Sequence, residues 1–245
     1  MKNIFNSKSN SKNKYAIPML VAALFIVILM SVLILIKDRT SDDTSALDNL
    51  PNYTEVEGKI VVDGLKYEKQ PHLGSSTASV KVIEFADFKC PACKKWTDQY
   101  LDQFIKDYVD TGKVEFYFMN FAFLDRDSYL AASAGEAIYK QNNEAFWDYV
   151  HKLYANQGDE SKIWATEKFI LNFVKKNIDG IDFDQFEKDV KNHTYMYDVK
   201  EDFKIAGSYG VNGTPKFMVN GVLQQDSSYE SLSAAIDEQL GAETK

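Results

Sequence analysis

The stretch "FKCPACKKW", residues 88–96, holds the only two cysteines of this 245-residue chain, Cys90 and Cys93. Two thiols at that spacing can clip a metal, close a small structural disulfide or exchange electrons as a dithiol pair. A structural zinc site takes four ligands, usually two such pairs or added histidines. Here there is no second pair, and His72, His151 and His193 are scattered along the chain. No metal is expected. A disulfide closing so short a loop removes little entropy from the unfolded chain, so it is a poor staple. The residue types and spacing favour redox exchange.

The elements around the motif sharpen that reading. "VKVIEFADF" (80–88) is β-branched and aromatic, the pattern of a buried central strand. Pro91 suits the first position of a helix, and Trp96, Tyr100, Leu101, Phe104, Ile105 and Tyr108 recur at helical spacing up to Gly112. "KVEFYFMNFAF" (113–123) reads as a second strand, so the unit predicts a parallel pair with a right-handed crossover. Cys90 then sits where a strand delivers the chain to a helix N-terminus, whose positive dipole end and free N–H groups favour a thiolate. Lys89, Lys94 and Lys95 are expected to add positive charge. A more acidic Cys90 is the better leaving group in exchange. Cys93, one helical turn on, is expected to face inward and resolve mixed disulfides.

Further along, "KIVVDGLKY" (59–67) reads as a strand with an Asp-Gly turn, and 70–79 as loop. Residues 128–206 carry helical periodicity and no strand pattern, beginning at an Asp127/Ser128 cap. "KFMV" followed by "NG" predicts a hairpin, and "SYESLSAAIDEQLG" closes as a helix from a serine cap. The order is β-α-β, helical insert, β-β-α.

At the N-terminus, residues 15–36 carry no charge over a length suited to a bilayer span, longer than a signal-peptide core. An uncleaved anchor is expected. Lys2, Lys8, Lys12 and Lys14 precede it without an acid, which places 1–14 in the cytoplasm and the rest outside. Residues 37–56 read as a flexible tether. The formal net charge of −8 argues against nucleic-acid binding, which wants a basic face.

"QPHLG", "VKVIEFADFKCPACKKW", "GTPKFMVNG" and the helical insert resemble the thioredoxin fold, and within it the DsbA-like thiol–disulfide oxidoreductases. The likeness is closest to the membrane-anchored Gram-positive BdbD type and covers about 65–240. It implies an α/β thioredoxin-like domain (57–127 and 207–241) with an inserted all-helical subdomain (128–206). It implies catalysis by Cys90 and Cys93, with Pro91 and Ala92 between them and no cofactor beyond their disulfide. Thr214 and Pro215 match the family's cis-proline pair, which faces the active cysteines and bound substrate. Glu84 matches its buried acid, able to exchange protons with Cys93. Reduced exported proteins would be the substrates, and a quinone-linked DsbB-like membrane oxidase the partner. The insert is expected to cap the domain and shape a substrate groove.

One departure is Ala92, where the enterobacterial type has a histidine. Alanine cannot donate to the thiolate, so a less oxidising disulfide is expected. A reductase or isomerase is therefore the alternative direction, and a tethered binding module or chaperone with incidental cysteines the alternative class.

Overall fold

The computed structural model of the chain describes residues 24–32 and 49–243. Two units separate at residue 48. Within the first, residues 24–32 are helical with exposed apolar side chains. The expected span over 15–36 lies mostly outside the described residues, among which no helix is long and apolar enough to cross a membrane.

In the second unit a five-stranded sheet runs in the order β1-β3-β2-β4-β5. The strands are β1 (His72–Leu73), β2 (Val80–Ala86), β3 (Val114–Asn120), β4 (Lys216–Val219) and β5 (Val222–Leu223). The predicted parallel pair is β2–β3, Val80 opposite Val114, and β1 and β4 join it antiparallel. Its crossover is helix α1 (91–109), with π-type turns at Thr97–Leu101 and Ile105–Val109. The predicted hairpin joins β4 to β5, with Asn220 at φ 45° and Gly221 at φ 82°. That pair of positive φ angles fits the twist of an Asn-Gly hairpin.

The insert comprises α2 (Arg126–Tyr139), α3 (Asn143–Ala155), α4 (Glu167–Asn177), α5 (Phe183–Lys191) and α6 (Met196–Ser208). Side-chain caps start the first four: Asp125, Asn142, Thr166 and Asp182 each accept from a first-turn N–H. The Asn142 cap splits into two helices what the sequence presents as one periodic run. Helix α7 (Tyr229–Glu243) closes the chain.

Alternation along the strands divides the core. Ile83, Phe85, Tyr117, Met119 and Met218 face a smaller cluster with Ile205 and Val211. Val80, Val82, Phe116, Phe118 and Phe217 face a larger one, which runs without a break from α1 through the insert to Ile236 of α7. Phe118 meets Phe88 at 5.3 Å and Phe146 of α3 at 5.4 Å, and Phe116 meets Trp147 at 5.6 Å. Gly135 of α2 permits this approach, since a Cβ there would stand 3.2 Å from Phe146 and 3.5 Å from Phe88.

Two N-terminal expectations are corrected. Residues 59–67 form no strand; Lys66 takes a left-handed conformation (φ 49°), and its ammonium is bound to Glu201 of α6 at 2.6 Å. Residues 49–56, assigned to the flexible tether, are docked. Leu50 is buried, Tyr53 stacks on Tyr129 at 4.0 Å, and its hydroxyl donates to the Ala122 carbonyl at 3.0 Å. The Tyr53 side chain, in a polar stretch, found partners 69 and 76 positions away.

Candidate active site

The chain leaves β2 at Ala86, turns through residues 87–90 and enters α1. Cys90 takes the cap position with extended backbone (φ −73°, ψ 118°), and Pro91 fills the first helical position. Asp87 organises the turn. Its Oδ1 accepts from the Lys89 N–H at 2.8 Å and the Ser128 hydroxyl at 2.6 Å. Its Oδ2 accepts from the N–H groups of Phe123 at 2.9 Å and Leu124 at 3.1 Å. Its carbonyl accepts from the Cys90 N–H at 2.9 Å and the Tyr154 hydroxyl at 3.2 Å.

The structure holds both cysteines as free thiols. Cys90 keeps 8% of its surface exposed and Cys93 none, so only Cys90 is open to another protein's sulfur. The Cys90 thiol is pulled down to about 6. The main cause is the Cys93 thiol donating to it; Thr214 and the backbone N–H groups of Cys93 and Ala92 add to this, while burial opposes. Cys93 is pushed the other way, first by burial, then by its bond to Cys90 and by the charges of Cys90 and Glu84. Adjacent thiols of opposite acidity give a pair in which one sulfur leaves as an anion and the other holds its proton.

Glu84 lies on the strand face that carries Val82, beneath α1, and is 1% exposed. Burial, and then the Cys90 charge, raise its carboxyl to about 8. Its Oε1 has no hydrogen-bond partner, so nothing in the protein offsets the cost of ionising it. The Thr214–Pro215 peptide is cis, and the Thr214 carbonyl accepts from the Cys90 thiol at 3.3 Å. These positions converge on one site: Cys90, Pro91, Ala92 and Cys93 on the first turn of α1, Glu84 below, Thr214 and Pro215 beside it.

The lysines do not act as expected. Lys89 has no exposed surface; its Nζ lies 2.6 Å from Asp127 Oδ1, itself wholly buried, and donates to the Lys162 carbonyl at 3.0 Å. That ion pair neutralises the charge within the insert. Lys94 is held by Asp98 at 2.9 Å and by the Tyr154 carbonyl at 2.7 Å. Local hydrogen bonds, not lysine charge, lead the stabilisation of the Cys90 anion.

A groove of about 280 Å³ opens beside Cys90, lined by Ala92, Trp96 and Tyr100 of α1, by Pro215 and by Tyr229 of α7. Tyr100 and Tyr229 stack in its wall at 5.3 Å. Elements of the thioredoxin unit therefore shape this groove, where the sequence reading gave that task to the insert. The insert grips the opposite flank: the Gln157 amide donates to the carbonyls of Phe88 at 2.8 Å and Cys90 at 3.1 Å. Sequence reasoning missed Asp87, Tyr154 and Gln157. Only Asp87, a turn-forming residue just before the motif, carried a local signal.

The profile of the Thioredoxin family matches residues 66–238. The protein named "Probable disulfide bond formation protein D" in Bacillus anthracis is 42% identical over 71% of this chain and 80% of its own length. Disulfide bond formation protein D of Bacillus subtilis is 32% identical over 77% of this chain and 85% of its own. The crystal structure of oxidised BdbD from Bacillus subtilis superposes with a TM-score of 0.68 at 29% identity, covering 75% of this chain and all of that one. The chain thus belongs to the thioredoxin family, within the disulfide bond formation protein D group of thiol–disulfide oxidoreductases.

Proposed function

We propose that the protein introduces disulfides into exported proteins, working outside the cytoplasmic membrane through Cys90 and Cys93. A substrate thiolate attacks Cys90 Sγ of the Cys90–Cys93 disulfide. The bond to Cys93 breaks, and Cys93 leaves with the electron pair and takes up a proton that Glu84 can supply. The mixed disulfide is then attacked at the substrate sulfur by the substrate's second thiolate, and Cys90 leaves as its anion. Two substrate thiols become a disulfide, and their two electrons reside in the Cys90–Cys93 dithiol. The exchange draws on no cofactor beyond this pair.

The carrying observation is the placement of the two sulfurs, Cys90 open at the start of α1 against the cis Thr214–Pro215 peptide and Cys93 wholly buried behind it; this arrangement favours the Cys90 anion in the reduced state and so makes the disulfide an oxidant. The substrate chain lies along the Thr214–Pro215 backbone and places an apolar side chain in the groove walled by Tyr100 and Tyr229. A quinone-linked membrane oxidase of the DsbB type regenerates the disulfide, and residues 15–36 hold the protein in that membrane. The helical, apolar and exposed residues 24–32 support the anchor.

Trapping tests this reading. With Cys93→Ala, Cys90 forms mixed disulfides that nothing resolves, and exported cysteine-bearing proteins are recovered covalently bound. Recovery of none, with Cys90 accessible to alkylation, refutes it. Ala92, which gives the Cys90 anion no side-chain donor, favours the reductase direction as the second reading. Equilibration with glutathione separates the two, since a potential near thioredoxin's, about −270 mV, marks a reductase.

A further inference from the structure

The turn that carries Cys90 is held from outside its own domain by the stretch where α3 ends. The Tyr154 hydroxyl donates to the Asp87 carbonyl, and the Gln157 amide donates to the carbonyls of Phe88 and Cys90. Lys94 of α1 returns the contact by donating to the Tyr154 carbonyl. Tyr154 is wholly buried among the aromatics and serves the core, but Gln157 is half-buried and belongs to neither core cluster. Its amide spends its donors on two carbonyls of the active-site turn.

We propose that Gln157 is a positioning residue for thiol–disulfide exchange: by holding the carbonyls of Phe88 and Cys90 it fixes the turn so that the N–H groups of Ala92 and Cys93 point at Cys90 Sγ. It acts in two ways. The Cys90 carbonyl accepts the first helical bond of α1, from the Lys94 N–H at 3.1 Å. A second donor on the same oxygen keeps the peptide plane still, and with it the N–H groups that follow. The amide also turns the positive end of its dipole toward the residue whose sulfur becomes an anion. Groups that bear on that sulfur from other sides are Cys93, Thr214 and Glu84, and none of them contacts Gln157. The inference rests on Cys90 being the exchanging sulfur.

The test is a series at this position in the full-length protein. Gln157→Leu removes the donors, Gln157→Glu replaces them with an acceptor, and Gln157→Lys keeps a donor and adds a positive charge. Thiolate absorbance near 240 nm, titrated against pH, reads the acidity of Cys90. Equilibration with glutathione reads the redox balance, and thermal melts of both redox forms read the fold. The expected order of Cys90 acidity is Lys, Gln, Leu, Glu, from most to least acidic. The Lys and Glu variants, facing the same carbonyl, differ by at least ten-fold, about one pH unit. The glutathione equilibrium moves in the same order. If Gln157 serves only the fold, Lys and Glu lower both melting temperatures alike and leave the acidity unmoved; that result overturns the proposal. Because Leu nearly matches the shape of Gln, it decides the case if the charged variants fail to fold. A wild-type Cys90 of ordinary acidity would refute the function proposed above, whereas a wild-type Cys90 of depressed pKa that the series leaves unmoved would refute the role of Gln157 alone.

Discussion

Replacing Cys93 with alanine should make Cys90 markedly less acidic. In the native dithiol Cys90 stands near 6 against an ordinary value of 9.0, and the bond from the Cys93 thiol is the largest cause. Three pH units correspond to about 4 kcal/mol. A hydrogen bond to a charged group contributes roughly 1.5–3 kcal/mol, so its loss should raise Cys90 by about one to two units. The remainder comes from Thr214 and the N–H groups of Ala92 and Cys93. The same depression links redox state to pH. Folding lowers the pKa of Cys90, so the reduced form gains stability that is complete above about pH 9 and vanishes as pH falls through 6. At pH 7 the gain is about 1.4 kcal/mol, a ten-fold bias toward the dithiol. Thiolate absorbance from pH 3 to 10 measures the first quantity. Urea unfolding of oxidised and reduced protein at pH 5, 7 and 9 measures the second. A variant that still titrates near 6, or a stability gap between redox forms that does not widen with pH, would refute the argument.

Other outcomes follow from the same geometry. Glu84 keeps a proton that the unfolded chain releases near 4.5, so the oxidised protein, where burial acts without the Cys90 charge, should lose stability as pH rises from 4.5 towards 8, by less than the full shift's value of about 5 kcal/mol. Glu84→Gln should flatten that slope in urea titrations and slow release of Cys93 in stopped-flow exchange. Lys89→Met leaves the buried Asp127 carboxylate without its cation, and should cost about 3–5 kcal/mol in denaturant unfolding. Lys89→Met with Asp127→Leu should recover only part of that loss, since the Trp164 and Ala165 N–H groups lose their acceptor. Tyr229→Ala opens the groove wall and should raise KM for cysteine peptides with a neighbouring apolar residue, leaving the Cys90 acidity untouched. Tyr53→Ala frees the docked N-terminal segment, and limited proteolysis should then cut between residues 49 and 60.

What could be read in the sequence was what is local. The buried strand before Cys90, Pro91 at the helix start and Asn220–Gly221 in the hairpin each follow from spacing and backbone preference. The cis bond before Pro215 and the burial of Glu84 were expected from resemblance alone, and both appear. The illegible part is long-range. Nothing near Lys89 tells that its ammonium will be sealed against Asp127, thirty-eight positions on. Nor does anything near Gln157 announce its bonds to carbonyls sixty-seven and sixty-nine positions back. "KIVVDGLKY" has strand composition, but Lys66, pinned to Glu201 across 135 positions, draws the chain along α6 instead.

The unbroken aromatic seam from Phe88 through Phe118 to Phe146 and Trp147 bears on how such a molecule can be reshaped. A designer who excised the helices to recover a minimal redox module would strip one face of the sheet of its cover. Phe88, Phe116 and Phe118 would then meet water, and the product would clump instead of catalysing. Here the helices and the sheet share one core, and neither can be pruned without uncovering the other.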